Sequence, residues 1–189
     1  MTATDTRTLT SIPGYVAGTW SIDPVHSEVG FTVRHMMVSK VRGRFRAFSG
    51  QIVTGASPLG SSVTAEIDLS SIDTGNEQRD AHIRSADFFE VETYPTMTYQ
   101  STGVRADGDV YILDGKLTLK GVTKDVPLAL EINGFGPDAY GGTRVGFTAI
   151  GEINRRDFGV NFTAVMETGG AVVSDRITIQ LEIEAVLQP

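Results

Sequence analysis

Three histidines and one compact charged cluster are the groups in this chain best suited to chemistry. His26, His35 and His82 are the candidate metal ligands. Zinc needs three or four donors in tetrahedral reach. Here each histidine stands in its own stretch of sequence, and no HxH or HxxxH spacing puts two on one element. The spacing favours structural roles: His26 orders the turn after Pro24, and His35 packs at a strand end. No metal or other cofactor is expected to be required. The cluster is Arg79, Asp80, His82 and Arg84, within the run from Ile67 to Pro95. Two readings stand side by side. Arginine as a donor fork, with histidine beside it, could hold a phosphate or a quinone carbonyl. Alternatively this is a capped surface helix with Asp80 and Arg84 paired at i,i+4.

Catalysis finds little support. The chain has no cysteine, GxSxG elbow, P-loop or dinucleotide fingerprint. Asp73 and Asp80 can be picked out as a carboxylate pair, but an acidic chain offers many such pairs. Arg42, Arg44 and Arg46 share one strand face beside Phe45 and Phe48; a solvated face is favoured over an anion site. The net charge of −7 argues against nucleic acid or an anionic membrane as the main partner.

The elements that must position these groups are mostly strands. Apolar residues recur at every second position in at least seven runs, clearest from Ile177 to Leu187. Strands are expected to end at Leu69 and to meet in turns at Ala106–Asp109, Gly121–Asp125 and Gly134–Gly142. The one helical stretch follows Thr74 and Glu77, which read as a capping box, and it runs into Phe88 and Phe89. A second irregular stretch, Asn154 to Val160, again mixes Arg, Asp and Phe. Both are expected at one mouth. No βαβ rhythm is visible, so a parallel sheet is not expected. The fold class is all-β: an antiparallel barrel of about eight strands with one or two short helices at the mouth. Closure removes sheet edges and can enclose one small ligand.

Residues 1–17 read as a loose N-terminal segment and 18–189 as the barrel domain. The N-terminus shows no secretory pattern, so a cytoplasmic location is expected. No window approaches the ~18 apolar residues of a membrane span, so stable membrane insertion is not expected. The long C-terminal strand offers an edge for a homodimer.

Several motifs together resemble the YceI-like family of polyisoprenoid-binding proteins. They include Trp20-Ser-Ile-Asp23-Pro-Val-His26-Ser27, Phe31-Thr-Val-Arg-His35 and Gly43-Arg-Phe45-Arg-Ala-Phe48-Ser-Gly50. Further along come Arg79-Asp80-Ala-His82, Asp87-Phe88-Phe89, Tyr94-Pro95, Leu117-Thr-Leu-Lys-Gly121-Val-Thr-Lys124 and Arg156-Asp-Phe158-Gly159. The resemblance runs from about Gly18 to the C-terminus. It implies a lipocalin-like barrel with a long apolar pocket for an isoprenoid chain, such as a quinone tail or a polyprenyl phosphate.

On this reading the protein is a lipid binder and not an enzyme, serving carriage, storage or sequestration. The expected wall is Phe31, Val33, Phe45, Ile67, Met97, Tyr99, Leu117, Leu119, Phe147 and Phe162. Arg79 and His82 take the polar end, and Phe88, Phe89 and Phe158 cover the first part of the tail. A metal- or quinone-dependent redox enzyme using the three histidines is the alternative. A packed β module with no ligand is the second, because the same apolar residues could simply fill a small barrel.

Overall fold

The computed structural model describes residues 12–164 and 172–189. Its strands are β1 (Gly18–Ile22), β2 (Glu28–His35), β3 (Ser39–Phe45), β4 (Phe48–Thr54), β5 (Ser62–Asp68), β6 (Ile72–Asp73), β7 (Thr96–Asp107), β8 (Val110–Leu119), β9 (Val122–Asp125), β10 (Leu128–Pro137), β11 (Thr143–Asn154) and β12 (Val173–Leu187). One helix, α1 (Glu77–Arg84), lies between β6 and β7. The ring runs β1-β4-β5-β7-β8-β10-β11-β12 and closes where β12 pairs β1, with Trp20 opposite Leu187. The fold is thus a closed eight-stranded antiparallel barrel of lipocalin-like form.

The remaining strands are continuations of this ring. β1 and β2 lie end to end along one edge of β12, broken by the Asp23–Ser27 turn. β3 and β4 lie end to end beside them, broken at Arg46 and Ala47. β9 and β10 form one line along β8, and the register does not change between them: Lys116 faces Asp125 and Leu113 faces Leu128. Pro127 makes that break, because it has no N–H to donate to the ladder.

Alternation positions the interior. In β8, Leu113, Leu117 and Leu119 are buried on one face, and in β11 Val145, Phe147 and Ala149 are. The inward residues of β12 behave differently. Ile177, Ile179, Leu181 and Ile183 are only half-buried although they face the lumen. Ile179, Leu181 and Ile183 pack against the core clusters on one side and border the cavity on the other.

The end of the barrel remote from α1 is sealed. Trp20 is fully buried and its Nε1 donates to Thr54 Oγ1 at 2.8 Å. The Thr54 hydroxyl donates to Val16 O at 2.7 Å. Tyr15 packs edge-on against Phe135 at 5.3 Å and donates to Gly55 O at 2.8 Å. So the described part of the expected loose segment, from residue 12 to 17, is docked on the barrel, because Tyr15 and Val16 find apolar and carbonyl partners there. Residues 1–11 of that segment lie outside the described residues.

Two expected turns are placed differently. The β8–β9 reversal is made by Lys120 and Gly121, both left-handed at φ 50° and 76°. This two-residue hairpin turn leaves Val122–Asp125 as strand. β10 runs through Gly134 to Pro137, with a bulge between Ile132 and Gly134. The β2–β3 turn also uses two left-handed residues, Met36 at φ 52° and Met37 at φ 62°. No helix among the described residues is long and apolar enough to cross a membrane.

Candidate functional site

The barrel is hollow. Its lumen holds a cavity of about 560 Å³ with an almost wholly apolar lining, within the range of ligand pockets. Two glycines help to keep it open. Phe31 faces Gly43 across β2 and β3, and its ring lies over that glycine. A Cβ at residue 43 would meet Phe31 Cε1 at 2.7 Å and Cε2 at 3.0 Å. Tyr99 lies over Gly115 in the same way, with Cε1 at 2.7 Å from the Cβ position. Both rings therefore lie along the wall instead of standing out into the lumen. Tyr99 is also anchored through its hydroxyl, which donates to Val126 O at 2.9 Å, beside the break at Pro127. Burial pushes the Tyr99 hydroxyl's pKa well above the ordinary tyrosine value.

All ten expected wall residues, Phe31, Val33, Phe45, Ile67, Met97, Tyr99, Leu117, Leu119, Phe147 and Phe162, line the cavity. So do Arg79, His82, Phe88 and Phe89. Phe158 does not. It is 1% exposed and packs into the main core, held there by the Arg155–Phe158 turn. Sequence reasoning missed Leu113, Leu128, Leu130 and Phe135 as wall residues, along with the inward face of β12. The alternation of β12 was the signal that could have found that face.

α1 sets the polar end. Asn76 is its N-cap, accepting from Arg79 N at 2.9 Å. The expected Thr74–Glu77 capping box does not form. Gly75 takes φ 80° and turns Thr74 toward Asp80 instead. The buried Asp80 carboxylate accepts from Thr74 N at 3.0 Å and from its hydroxyl at 2.5 Å. Nor does the expected Asp80–Arg84 pair form, since Arg84 donates to Glu77 at 2.7 Å. Arg79 folds back on the same loop, donating from Nε to Thr74 Oγ1 at 2.7 Å and from Nη2 to Thr74 O at 2.8 Å. His82 hydrogen-bonds Asp87 at 2.7 Å. From this rim an aromatic row runs along the wall: Phe89 to Phe45 at 6.1 Å, then Phe45 to Phe31 at 5.9 Å.

The second irregular segment meets the first. His82 contacts Phe162 edge-on at 4.9 Å, and Phe88 lies 5.0 Å from Phe162. Arg155 holds Phe162 in place. Its guanidinium is buried and donates from Nη1 to Val160 O at 2.9 Å and Phe162 O at 2.6 Å. Nε donates to Ser174 O at 3.1 Å, and Asp175 lies 3.1 Å away. Burial pulls the Arg155 pKa below its usual value, with Asp175 opposing. Nothing in the sequence marked Arg155 apart from Arg156, which stays exposed.

The histidines are dispersed. His26 Nδ1 sits 2.8 Å from Asp23 in the β1–β2 turn, and His35 ends β2 at the cavity rim. Among the described residues one group of metal-type donors gathers, Asp23, His26 and Glu184. Arg144 already bridges its carboxylates, at 2.7 Å from Asp23 and 2.6 Å from Glu184. That guanidinium, and His26 after it, hold the Asp23 carboxyl well below the usual carboxylate range. Arg42, Arg44 and Arg46 are exposed, and Asp73 lies within ion-pair reach of the last two.

A family model described as the YceI-like domain matches residues 20–185. The chain belongs to the YceI-like family. It is 41% identical over 140 residues to a UPF0312 protein of Photorhabdus laumondii, covering 74% of this chain and 72% of that protein. Among solved structures, the YceI protein of Campylobacter jejuni is similar with a TM-score of 0.71 at 32% identity, covering 88% of this chain and 96% of the other. A domain from Saccharophagus degradans, described as polyisoprenoid binding and implicated in plant cell wall breakdown, shares the fold with a TM-score of 0.68 at 19% identity. That match covers 92% of this chain and all of the other. Membership accounts for the barrel.

Proposed function

We propose that this YceI-like barrel binds one long apolar chain bearing a polar end, an isoprenoid such as a quinone tail or a polyprenyl phosphate. Its role is carriage, storage or sequestration, without catalysis or a required cofactor. The observation that carries the reading is the apolar cavity of about 560 Å³, which has the polar residues Arg79 and His82 at its rim beside α1. Burial of hydrocarbon supplies the affinity, at ~0.8 kcal/mol per CH₂, so several isoprene units are held without a covalent bond. The aromatic row from Phe89 to Phe31 packs beside the chain. Arg79 keeps N–H groups beyond the two spent on Thr74, and these are its donors for a phosphate or carbonyl oxygen. The polyisoprenoid-binding description of the Saccharophagus degradans domain points the same way.

Mass spectrometry of lipid extracted from protein purified without detergent tests the reading. A stoichiometric isoprenoid or similar amphiphile is expected. Protein that carries no lipid, and takes up none from a supplied isoprenoid alcohol, would overturn it.

A further inference from the structure

The β2–β3 hairpin ends in a tip that packing does not explain. Met37 and Val38 are 58% and 86% exposed, and Met36 is exposed too. Met36 and Met37 occupy the two left-handed positions of the turn, which Val38 N closes onto His35 O at 3.2 Å. Asn-Gly meets those dihedrals with least strain. Two long apolar side chains there are strained and face water, so neither local conformation nor burial accounts for them. Such outliers cluster at functional sites.

The tip stands at the cavity mouth. Val33, Arg34 and His35, which lead into it, line the cavity. His35 pairs with Val173 of β12. Arg155 reaches Val173 O at 3.4 Å and holds Phe162 against His82. On the side away from β2, β3 is paired by β6 only at Arg44 and Phe45, so among the described residues the hairpin runs on past its strand neighbour.

Three cations flank the tip: Arg34, Lys40 and Arg42 are exposed on the two strands. The recess that Met37 shares with Arg156 and Arg176 adds no net charge, because Asp175 and Glu152 in it pair with those arginines. The chain as a whole carries −7. Charges beyond about 10 Å are screened at 0.1 M salt, so a surface meeting the tip senses the local cations more than the remote acids.

We propose that the β2–β3 tip is a reversible membrane-docking point. Met36, Met37 and Val38 enter the interfacial layer of a bilayer bearing anionic head groups, with Arg34, Lys40 and Arg42 against the phosphates. The contact sets the cavity mouth on the lipid surface, so a chain can pass between bilayer and barrel without crossing water. Three apolar side chains and a net acidic body give a weak, salt-sensitive contact and no permanent anchorage. The inference rests on the chain-binding reading above.

The test uses extruded vesicles of phosphatidylcholine alone and with one quarter phosphatidylglycerol. It compares the wild-type chain with the double variant Met36→Asn, Met37→Gly and with Val38→Ser. The double variant supplies the residues the turn prefers, so it keeps or raises thermal stability. Cosedimentation of wild type with the anionic vesicles is expected, weakened by salt. The double variant should partition about tenfold less, as expected when apolar contact area is removed, while uptake of a fluorescent fatty acid from solution stays unchanged. Wild type that ignores both vesicle types overturns the proposal, as does equal partition of wild type and double variant. A wild-type dimer that the double variant turns monomeric, without vesicle binding, would reassign the tip to a second copy and also overturn it. Tip-dependent vesicle binding with no fatty-acid uptake supports the docking point and removes the chain-binding reading instead.

Discussion

Replacing Gly43 by alanine should narrow the lumen without altering any cavity-lining residue. The added Cβ would fall closest to Phe31 Cζ, with Cε1 at 2.7 Å and Cε2 at 3.0 Å. Carbon atoms rest at ~3.5–4.0 Å, so the ring must lift by on the order of 1 Å. Phe45 flanks it at 5.9 Å, and the open direction is the lumen. Overpacking a filled core costs about 1–3 kcal/mol. A ring with empty space before it should pay near the low end, ~1 kcal/mol. Binding should suffer more. A ring lifted that far displaces roughly two methylene groups of ligand, ~1.6 kcal/mol or about 15-fold in Kd. The assay is displacement of a fluorescent fatty acid by isoprenoid alcohols of increasing length, with thermal denaturation alongside. Short alcohols that stop before Phe31 should bind Gly43→Ala as they bind wild type, and long ones should weaken. Adding Phe31→Leu should restore much of the loss. A variant destabilised like a packed core, with unchanged affinity at every length, would refute the placement of the chain beside Phe31.

Arg79→Ala should weaken a phosphate-bearing chain by ~1.5–3 kcal/mol, the scale of a hydrogen bond to a charged group, and leave a neutral alcohol of equal length nearly untouched; equal losses by calorimetry would mean that Arg79 acts only through Thr74. Acid should destabilise the fold through three carboxyls. Asp23 is depressed chiefly by Arg144 and then His26, Asp73 by the Gly75 N–H and then Arg46, and Asp138 by the Gly142 and Tyr140 N–H groups. A depressed folded-state pKa adds stability above the unfolded value of about 3.9, and the gain is lost as pH falls through the folded value. Tm should therefore be level above about pH 5 and drop below it. Asp23→Asn should lower the plateau and flatten the drop, and an acid limb identical to wild type would count against Asp23 as a contributor.

The strands were readable because alternation follows from one wet and one dry face, and β12 repeats that pattern without interruption from Ile177 to Leu187. The interruptions were not. That Asp23–Ser27 and Arg46–Ala47 interrupt one long hairpin shows only in the pairing: β12 runs along both β1 and β2, and these pair in turn with β4 and β3. Hollowness was hidden too, since Phe31 and Tyr99 suit a filled core equally well. What lays them along the wall is a glycine on the neighbouring strand, a relation visible only once register is known. At the mouth, the charged residues of α1 were found but their partners were not. The choice of Asp80 over Glu77 as the partner of Thr74 depends on the left-handed turn at Gly75. Phe158 and Phe162 lie four residues apart in one segment, yet Arg155 leaves one in the core and sends the other to the rim.

The seam between β1 and β12 has a further consequence. Every other pair of neighbours in the ring is closer in sequence, even β1 with β4 and β5 with β7, but this pair unites the two extremes of the described chain, with Gln188 N donating to Thr19 O at 2.8 Å. The last wall to form is therefore the one of greatest contact order, which makes closure the slow event of folding. Until it occurs, the apolar lumen is an open trough able to admit a lipid sideways, so cargo could be loaded during synthesis. The same adjacency makes the order of elements cyclic: joining the ends at the seam and cutting at Lys120–Gly121 would yield a circular permutant with the same barrel and the same mouth.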